Sequence, residues 1–252
     1  MNYKKNCVTY WLPKLVELKI PIPRTIAIDM NKIDKNFVGG MRKIFWMKEP
    51  NDKQKVALSK FRHMLERMGH DIGYPLFLRT GHSSHKHHWS ETCFVKSQDQ
   101  LLKHAQNLAE YSIMVDFKGG FPINIWVVRK LLETNPAFTA FDGMPITKEM
   151  RYFGKDGKII CRHPYWPEKA ISGHTKDKNW KPKLKKMNKL TKNDSQTLEK
   201  LTQRIANKFK GYWSVDWLKD KHNKWYAIDM ATGEDSYHWP GCPNRTKKQL
   251  KK

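Results

Sequence analysis

Residues 212–230 read YWSVDWLKDKHNKWYAIDM, the most informative part of this sequence. Two largely apolar segments, YWSVDWL and KWYAIDM, flank a polar turn at Lys221 to Asn223, which predicts a β-hairpin. One aspartate lies in each segment, Asp216 in the first and Asp229 in the second. Because paired strands bring their side chains together, the two carboxylates are candidates to bind one Mg²⁺ ion that bridges nucleotide phosphates. The alternative is that each aspartate faces solvent on its own strand.

A second hairpin precedes the first. ITKEMRYFG and KIICRHPYW are joined by Lys155-Asp156-Gly157, and an Asp-Gly turn between alternating segments is a strong hairpin signal. Alternation along the strand places Glu149 and Arg151 on the same face. This pair is either a structural ion pair or an arginine that reads a phosphate while a carboxylate holds it.

The remainder of the chain alternates helical and extended patterns. Helical spacing predicts helices over 10–18, 52–69, 98–111 and about 198–209, with a break at Gly39-Gly40 and Gly69 as the C-cap of the second. Extended patterns predict strands over 20–29, 74–79 and 123–132, the last of them buried. Arg79 ends a strand, and Lys86 lies in the polar loop TGHSSHKHHW that follows it. Both cations could neutralise nucleotide phosphates; the alternative is that they belong to the general basic surface.

The charge is far from balanced. The 252 residues include 48 Lys and Arg against 24 Asp and Glu, a formal net charge of +24. Such an excess favours a polyanionic partner, although a lysine-rich proteome would produce the same bias. Residues 176–192 contain eight lysines and one acid, which predicts a flexible basic connector. This connector would bind RNA or DNA or, equally, be a solvated loop.

Composition also excludes some classes of protein. Aromatic residues make up 12% of the chain and ten are Trp, which argues against a disordered protein. No apolar run approaches the roughly 20 residues of a membrane-spanning helix, so no membrane partner is expected. The first residues do not read as a secretory signal. Together with the absence of a CxxC pair, this favours a reducing cytoplasm, which would be the host cytoplasm for a viral protein.

The cysteines and histidines give weaker signals. Cys7, Cys93, Cys161 and Cys242 lie far apart, a spacing that offers no zinc knuckle and no disulfide framework. Cys93 and Cys161 lie in apolar stretches and are predicted to be small core residues. The histidines crowded into one loop are interpreted as a polar loop over an anion and not as a metal site: His82, His85, His87 and His88.

The order of these parts resembles the nucleotide-binding half of the ATP-grasp superfamily. LFLRTGHSSHKHHW, WVVRKLL, EMRYF and SVDWLKDKHNKWYAIDM carry the likeness, over roughly residues 74 to 236. Within the superfamily the chain is similar to the eukaryotic cell-division-cycle protein that assists assembly of translation initiation factor two, and to its viral and bacterial relatives. The resemblance implies an α+β fold in which two β-rich lobes with helices enclose a nucleotide cleft.

The resemblance also implies a role for each matching position. The residues that would bind ATP are Arg79, Lys86, Val127, Val128, Arg129, Lys130 and Arg151, with adenine against the strand at 127–130. Arg151 would reach the transferring phosphate, Glu149 would orient it, and Lys86 would complete the catalytic set. Asp216 and Asp229 would hold Mg²⁺.

One position departs from the family pattern. The family usually supplies a third metal ligand, an Asn two residues after the second acid, and here that residue is Ala231. Glu234 and Asp235 are close enough in sequence to replace it. The missing oxygen leaves the number of metal ions and catalysis itself open.

Three functions follow from these patterns. The first is an ATP- and Mg²⁺-dependent ligase that phosphorylates and activates an acceptor, with RNA or DNA as the acceptor that the charge suggests. The second is a non-catalytic ATP-binding assembly factor, and the third is a nucleic-acid-binding protein without a nucleotide site. The predicted domains are a reduced N-terminal extension over 1–40, an ATP-grasp core over 41–240 and a basic tail over 241–252; such a compact, basic chain would suit a bacteriophage.

Overall fold

The structure is a computed structural model that describes residues 2–115 and 120–245, and its mixture of helices and antiparallel sheets confirms the α+β class. The strands are β1 Thr25–Asp29, β2 Leu76–Thr80, β3 Phe94–Val95, β4 Ile125–Lys130, β5 Phe138–Ala140, β6 Met144–Ile146, β7 Glu149–Lys155, β8 Lys158–Pro164, β9 Tyr212–Lys219 and β10 Trp225–Thr232. The α-helices are α1 Tyr3–Asn6, α2 Val8–Glu17, α3 Met30–Ile33, α4 Phe37–Phe45, α5 Asp52–Ile72, α6 Gln98–Met114, α7 Glu168–Ile171, α8 Trp180–Met187 and α9 Lys192–Lys208. Short 3₁₀ helices cover Lys86–His88 and Gly233–Asp235. Among the described helices, none has the length and apolar character that crossing a membrane requires.

The chain divides into two units. The first unit consists of the described residues within 1–23, 132–140 and 145–252, and the second of those within 24–131 and 141–144. The predicted N-terminal extension over 1–40 therefore contributes its first 23 residues to the first unit and the remainder to the second. Residues 241–245 of the predicted basic tail are described, whereas 246–252 lie outside the described residues.

The second unit is built on an antiparallel sheet of order β1-β4-β2-β3. Its core contains Leu76, Leu78, Trp126 and Val128 from one face of the sheet, packed with apolar residues of α4, α5 and α6. The three predicted strands are confirmed, with bounds shorter by a few residues. β4 is buried on both faces from Ile125 to Arg129, which explains why this segment reads as a near-continuous apolar run.

Two predicted helix boundaries are wrong. α4 runs through Gly39-Gly40, where a break was expected, because its Phe37 and Met41 are buried in the core of the second unit. α5 continues past Gly69 to Ile72, and its C-cap is Gly73. Gly69 is required for another reason: a Cβ there would collide with the Tyr74 hydroxyl. Close packing, and not a helix end, accounts for that glycine.

The first unit is built on an antiparallel sheet of order β10-β9-β7-β8, so both predicted hairpins are confirmed. Asp156 and Gly157 both have positive φ, at 47° and 83°, as a tight two-residue hairpin turn requires. α9 packs on one face of this sheet, where the Trp217 indole N–H donates to the Thr202 hydroxyl over 3.1 Å.

The lysine-rich segment is not the predicted flexible connector. Residues 180–187 form α8, in which Leu184 and Met187 are buried and the lysines are exposed. The Lys148 ammonium donates to the Lys189 carbonyl over 3.0 Å, just after the end of this helix. A basic helical face therefore replaces the loop that composition predicted.

One buried carboxylate connects α9 to the sheet beneath it. Asp194, in the first turn of α9, accepts from the Lys219 ammonium over 2.8 Å and from the Trp225 indole over 2.9 Å. Burial alone would raise the pKa of Asp194, but the hydrogen bonds from Lys219 and Trp225 lower it below its ordinary value of 3.8. The ionised carboxylate is thus part of the folded structure.

Replacing Asp194 is expected to destabilise the first unit. Asp194→Ala leaves the Lys219 ammonium and the Trp225 indole without their acceptor, and we expect the free energy of unfolding to fall by about 3 kcal/mol. Because the folded pKa lies below the unfolded value of 3.8, this difference is complete above that pH and shrinks as pH falls through the folded pKa. Urea unfolding of both proteins between pH 7 and pH 3 measures it. Asp177→Ala, which removes an exposed ion pair with Lys183, is the control and should have the smaller effect.

Candidate functional site

Four polar side chains form a row across the sheet of the first unit. His163 on β8 pairs with Arg151 on β7, Arg151 pairs with Asp216 on β9, and Asp216 pairs with Asp229 on β10. Directly paired residues of antiparallel strands project to the same face. The row therefore crosses all four strands on one face of the sheet. This is the face opposite α9, since Trp217, which follows Asp216, contacts that helix.

A bulge in β10 places Asp229 in the row. Ala227 pairs with Trp217 but Asp229 pairs with Asp216, so Ile228 is the extra residue. Without this bulge, Asp229 would share the face of Ala227 and point toward the α9 side. The predicted convergence of Asp216 and Asp229 thus depends on an irregularity that the alternating sequence pattern does not reveal.

Arg151 and Asp216 form a two-bonded ion pair. The Arg151 Nε and Nη2 atoms donate to the two Asp216 oxygens over 2.6 and 2.8 Å, and the side chains are only 17% and 7% exposed. The guanidinium lies 4.7 Å from the centre of the Tyr165 ring. Burial disfavours the charge on the guanidinium, but the Asp216 carboxylate outweighs it and raises the pKa of Arg151. Arg151 is therefore a fixed cation held beside two carboxylates.

The other predicted residues of this unit lie close to the row. Glu149 is buried and, two residues before Arg151, lies on the same face of β7. Ala231, two residues after Asp229 on β10, pairs with Ser214 and lies on the same face. Asp235, a candidate replacement ligand, accepts from Asn6 over 2.9 Å and from the Thr232 hydroxyl over 2.9 Å. Its carboxylate is therefore held between the N-terminal segment and the end of β10.

The carboxylates suit a magnesium ion by chemistry. Mg²⁺ takes oxygen ligands, and Asp216 and Asp229 present them from paired positions. An ionised carboxylate has about four lone-pair sites, and the two bonds from Arg151 use only two of those on Asp216. The donor set present therefore fits a divalent cation with an arginine beside it.

The second unit carries buried cations on its sheet. Arg79 pairs with Val127, and Arg129 pairs with Phe77, so both guanidiniums project from the face opposite the helical core. Arg79 and Arg129 are 3% and 4% exposed, and the Arg79 Nε donates to the Thr80 carbonyl over 3.1 Å. Two buried guanidiniums on one sheet face are a suitable arrangement for an anion. The family resemblance implies this phosphate-binding role for Arg79, whereas it implies that Arg129 lies on the strand against the adenine.

The remaining predicted nucleotide residues are spread over this unit. Val127 lies on the arginine face and Val128 in the helical core, while Lys130 is exposed at the end of β4. Lys86 is half-buried in the 3₁₀ helix Lys86–His88, where the predicted polar loop lies.

The loop histidines pack against aromatic rings. His88 and His85 stack on Tyr111, with ring centroids 4.2 and 5.6 Å away, and His87 stacks on Phe141 at 4.3 Å. Burial, with smaller effects of His88 and His87, lowers the pKa of His85 to about 4. These aromatic contacts fix the position of the loop, and its predicted role over an anion stays a prediction.

The structure contains a cluster of potential metal ligands that the wide spacing of the cysteines, interpreted as offering no zinc knuckle, does not predict. Cys161 and His163 of β8 lie beside His238 and Cys242, and the four side chains present ligand atoms within 4.8 Å of one another. Cys161 was expected to be a core residue, but it is half-buried and lies 3.7 Å from the His238 ring nitrogen Nδ1. Cys93 matches the expectation: it is buried, and burial raises the pKa of its thiol to about 12. Two short patterns are the local signals for the cluster, C-x-H at residues 161–163 and H-x-x-x-C at residues 238–242.

Comparison with known proteins identifies the fold. A family model described as an ATP-grasp domain, family 3 of the R-2-K clade, matches residues 67–239. No curated protein sequence matches the chain significantly.

Solved structures with a similar fold include Cdc123 from Schizosaccharomyces pombe, C-terminally truncated, with a TM-score of 0.54 and 11% identity over 90% of this chain and 83% of that one. An N5-carboxyaminoimidazole synthase from Aspergillus clavatus, in complex with ADP and an aminoimidazole ribonucleotide, has a TM-score of 0.50 and 12% identity over 90% of this chain and 44% of that one. The biotin carboxylase domain of the Hydrogenobacter thermophilus 2-oxoglutarate carboxylase, in complex with MgADP, ADP and bicarbonate, has a TM-score of 0.51 and 12% identity over 91% of this chain and 40% of that one. The chain thus spans less than half the length of the last two, and the likeness confirms the predicted ATP-grasp fold.

Because Asp216 forms the two-bonded ion pair with Arg151, the two aspartates of the row are expected to contribute unequally to the stability of the folded protein. Asp216→Ala leaves the buried Arg151 guanidinium without its carboxylate, and we expect it to lower the free energy of unfolding by about 3 kcal/mol. Asp229→Ala, on the same face and one strand away, should cost clearly less. Urea unfolding of the two variants measures the difference, and equal losses would contradict the assignment of Asp216 as the principal partner of Arg151.

Proposed function

This chain belongs to the ATP-grasp family, in family 3 of its R-2-K clade, and from that premise we propose that it binds ATP with Mg²⁺ and acts as a ligase that phosphorylates and activates an acceptor. The row Arg151–Asp216–Asp229 is the observation that carries the proposal. It combines two carboxylates for a metal ion with a fixed cation for a phosphoryl group on one rigid sheet face.

Asp216 and Asp229 are the residues that would hold Mg²⁺. When bound, the ion would neutralise negative charge on the phosphates, and phosphoryl transfer requires this neutralisation. The protein's own contribution is position: paired strands fix both carboxylates, and the bulge at Ile228 turns Asp229 toward Asp216.

Arg151 is assigned to the transferring phosphoryl group. Its guanidinium is bound on one edge by Asp216 and lies over Tyr165, so it is oriented before a substrate arrives. Because its pKa is raised, it keeps its charge at any working pH. A cation fixed in this way stabilises developing negative charge without having to reorganise. Glu149, on the same face two residues earlier, is assigned to positioning Arg151.

The cations of the second unit are assigned to the nucleotide. Arg79 and Arg129, buried on one face of the sheet, are suited to the phosphates, since guanidinium groups bind phosphate oxygens in two-bonded pairs. Lys86 is assigned to the phosphates as well, and the strand containing Val127, Val128 and Lys130 to the adenine.

A specific feature favours a second candidate, a non-catalytic ATP-binding assembly factor. Ala231 lies on the same face as Asp229 but carries no oxygen, whereas the family usually has Asn there. Loss of one ligand is compatible with nucleotide binding and weakens the support for turnover. Phosphate release or transfer, measured with candidate acceptors, separates the two functions: turnover identifies the ligase, and binding without turnover identifies the assembly factor.

Asp229→Asn is the sharpest variant for the nucleotide site, because it removes the negative charge of a metal ligand without breaking the ion pair of Arg151. We expect the Mg²⁺-dependent affinity for ATP to fall by roughly tenfold or more, equivalent to about 1.4 kcal/mol. Isothermal titration with ATP at fixed Mg²⁺, and again with chelator, measures the change.

The matched control is Asp71→Asn, which makes the same substitution at an exposed position near the end of α5. It should bind ATP as the unaltered chain does. If a double variant Asp216→Asn, Asp229→Asn also keeps full affinity, these carboxylates are not the metal site. Absence of ATP binding by the unaltered chain would favour a nucleic-acid-binding protein without a nucleotide site.

For the acceptor we propose a polyanion, RNA or DNA, bound at α8. The helix exposes Lys181, Lys183, Lys185 and Lys186 and is anchored by Leu184 and Met187. A folded basic helix keeps these charges together, which supports contact with a phosphate backbone more strongly than a loop would.

Gel-shift titrations with RNA and with DNA at two salt concentrations test this acceptor. Changing all four lysines to Gln should weaken binding at low salt and flatten the salt dependence, by up to about 0.7 to 0.9 in logarithmic slope for each lost phosphate contact. The control changes four exposed lysines of the second unit to Gln and alters the net charge equally: Lys32, Lys35, Lys53 and Lys103. Absence of binding by the unaltered chain at low salt would exclude nucleic acid as the acceptor.

A further inference from the structure

Two cysteines and two histidines meet at the edge of the sheet in the first unit. Cys161 and His163 are two residues apart on β8 and therefore point to the same face. His238 and Cys242 lie on the segment that follows the 3₁₀ helix Gly233–Asp235. The ligand atoms of all four residues lie within 4.8 Å of one another.

The distances match those between the ligands of a tetrahedral zinc ion. Zn–N bonds of about 2.0–2.1 Å and Zn–S bonds of about 2.3 Å place two nitrogens about 3.3 Å apart, and a sulfur and a nitrogen about 3.6 Å apart. Here His163 Nε2 lies 3.3 Å from His238 Nδ1, and Cys161 Sγ lies 3.7 Å from the same nitrogen. The distances from His238 Nδ1 to two of the other ligand atoms thus already match those around a single ion.

The surroundings orient the ligands. The other ring nitrogen of His238, Nε2, is 2.5 Å from the Tyr212 hydroxyl, which leaves Nδ1 directed at the cluster. Metal-bound histidines characteristically use their second nitrogen in this way. The Asn244 amide donates to the Ile160 carbonyl over 3.1 Å, and the Cys242 N–H donates to the Trp239 carbonyl over 3.2 Å. These bonds hold the turn that carries Cys242 against β8.

We propose that Cys161, His163, His238 and Cys242 bind one Zn²⁺ ion in a closed structural site. Two thiolates and two imidazoles complete a tetrahedral shell and balance the charge of the ion, and binding releases two thiol protons to solvent. With four protein ligands there is no open position for a substrate, so the site stabilises the fold and performs no catalysis. It ties the segment around His238 and Cys242 to the edge strand β8, independently of the proposed function.

The ligand chemistry distinguishes this site from the carboxylate pair. Asp216 and Asp229 offer only oxygen, which suits Mg²⁺, whereas sulfur and imidazole ligands select zinc. His163 is the cross-strand neighbour of Arg151, so the proposed zinc site lies at one end of the row that contains the carboxylates.

The test uses the full chain without a histidine tag, purified under reducing conditions. Elemental analysis should find one zinc per chain. Removal of the metal with a chelator should lower the midpoint of thermal unfolding, and addition of Zn²⁺ should restore it. Replacement by Co²⁺ should produce the visible absorption of a tetrahedral cobalt–thiolate centre, a readout that does not depend on any variant folding.

Variants assign the ligands. Cys161→Ser and Cys242→Ser should each lose the zinc and the cobalt–thiolate absorption. Cys7→Ser and Cys93→Ser, which change buried cysteines outside the cluster, should keep both. ATP titration of the zinc-free protein, with the chelator removed and Mg²⁺ added back, keeps this test separate from the nucleotide proposal, since loss of zinc alone should leave the Asp216–Asp229 carboxylates in place.

Two results would overturn the proposal. One is a reduced protein that contains no zinc and gives no cobalt–thiolate absorption. The other is a Cys161–Cys242 disulfide, found by mass spectrometry of the alkylated protein, in a chain that takes up no zinc after reduction.

Discussion

The ion pair between Arg151 and Asp216 is the interaction on which the candidate site depends. It joins the two central strands of the sheet, buries a guanidinium, and directs both a cation and a carboxylate to the same face. A buried charge left without its partner is strongly destabilising, so exchange of either residue alone is expected to lower the stability of the sheet. The arrangement of the site and the stability of the sheet are therefore set by the same two hydrogen bonds.

One face of this sheet packs against a helix, and the opposite face carries the candidate site. One face packs against α9 through Trp217 and is anchored by the buried Asp194. The other face carries the polar row from His163 to Asp229. Because the packing side is held by its own contacts, the polar side can display side chains that do not contribute to the core. This division gives the proposed metal-binding carboxylates a rigid support.

Much of the fold could be predicted because it is locally encoded. The Asp156-Gly157 turn and the alternation on either side of it specify one hairpin without reference to the remainder of the chain. The second hairpin, the buried strand β4 and the long helices follow from the same short-range patterns. Predictions failed where packing outweighed local preference: Gly69 lies inside α5 because Tyr74 packs against it, and α8 forms because Leu184 and Met187 are buried. Composition alone had suggested a flexible loop there.

The local sequence specifies which residue types each element carries: carboxylates in one hairpin, an arginine in the other, and an excess of lysine. Which of these side chains come into contact depends on the long-range packing of the chain. The bulge at Ile228 turns Asp229 to the face of Asp216, and strand pairing makes Asp216 the partner of Arg151. Cys161 and Cys242, far apart along the chain, come together because the segment after β10 packs against β8. The physical reason is that register and long-range packing depend on the burial of whole faces, a property that no short stretch of sequence contains.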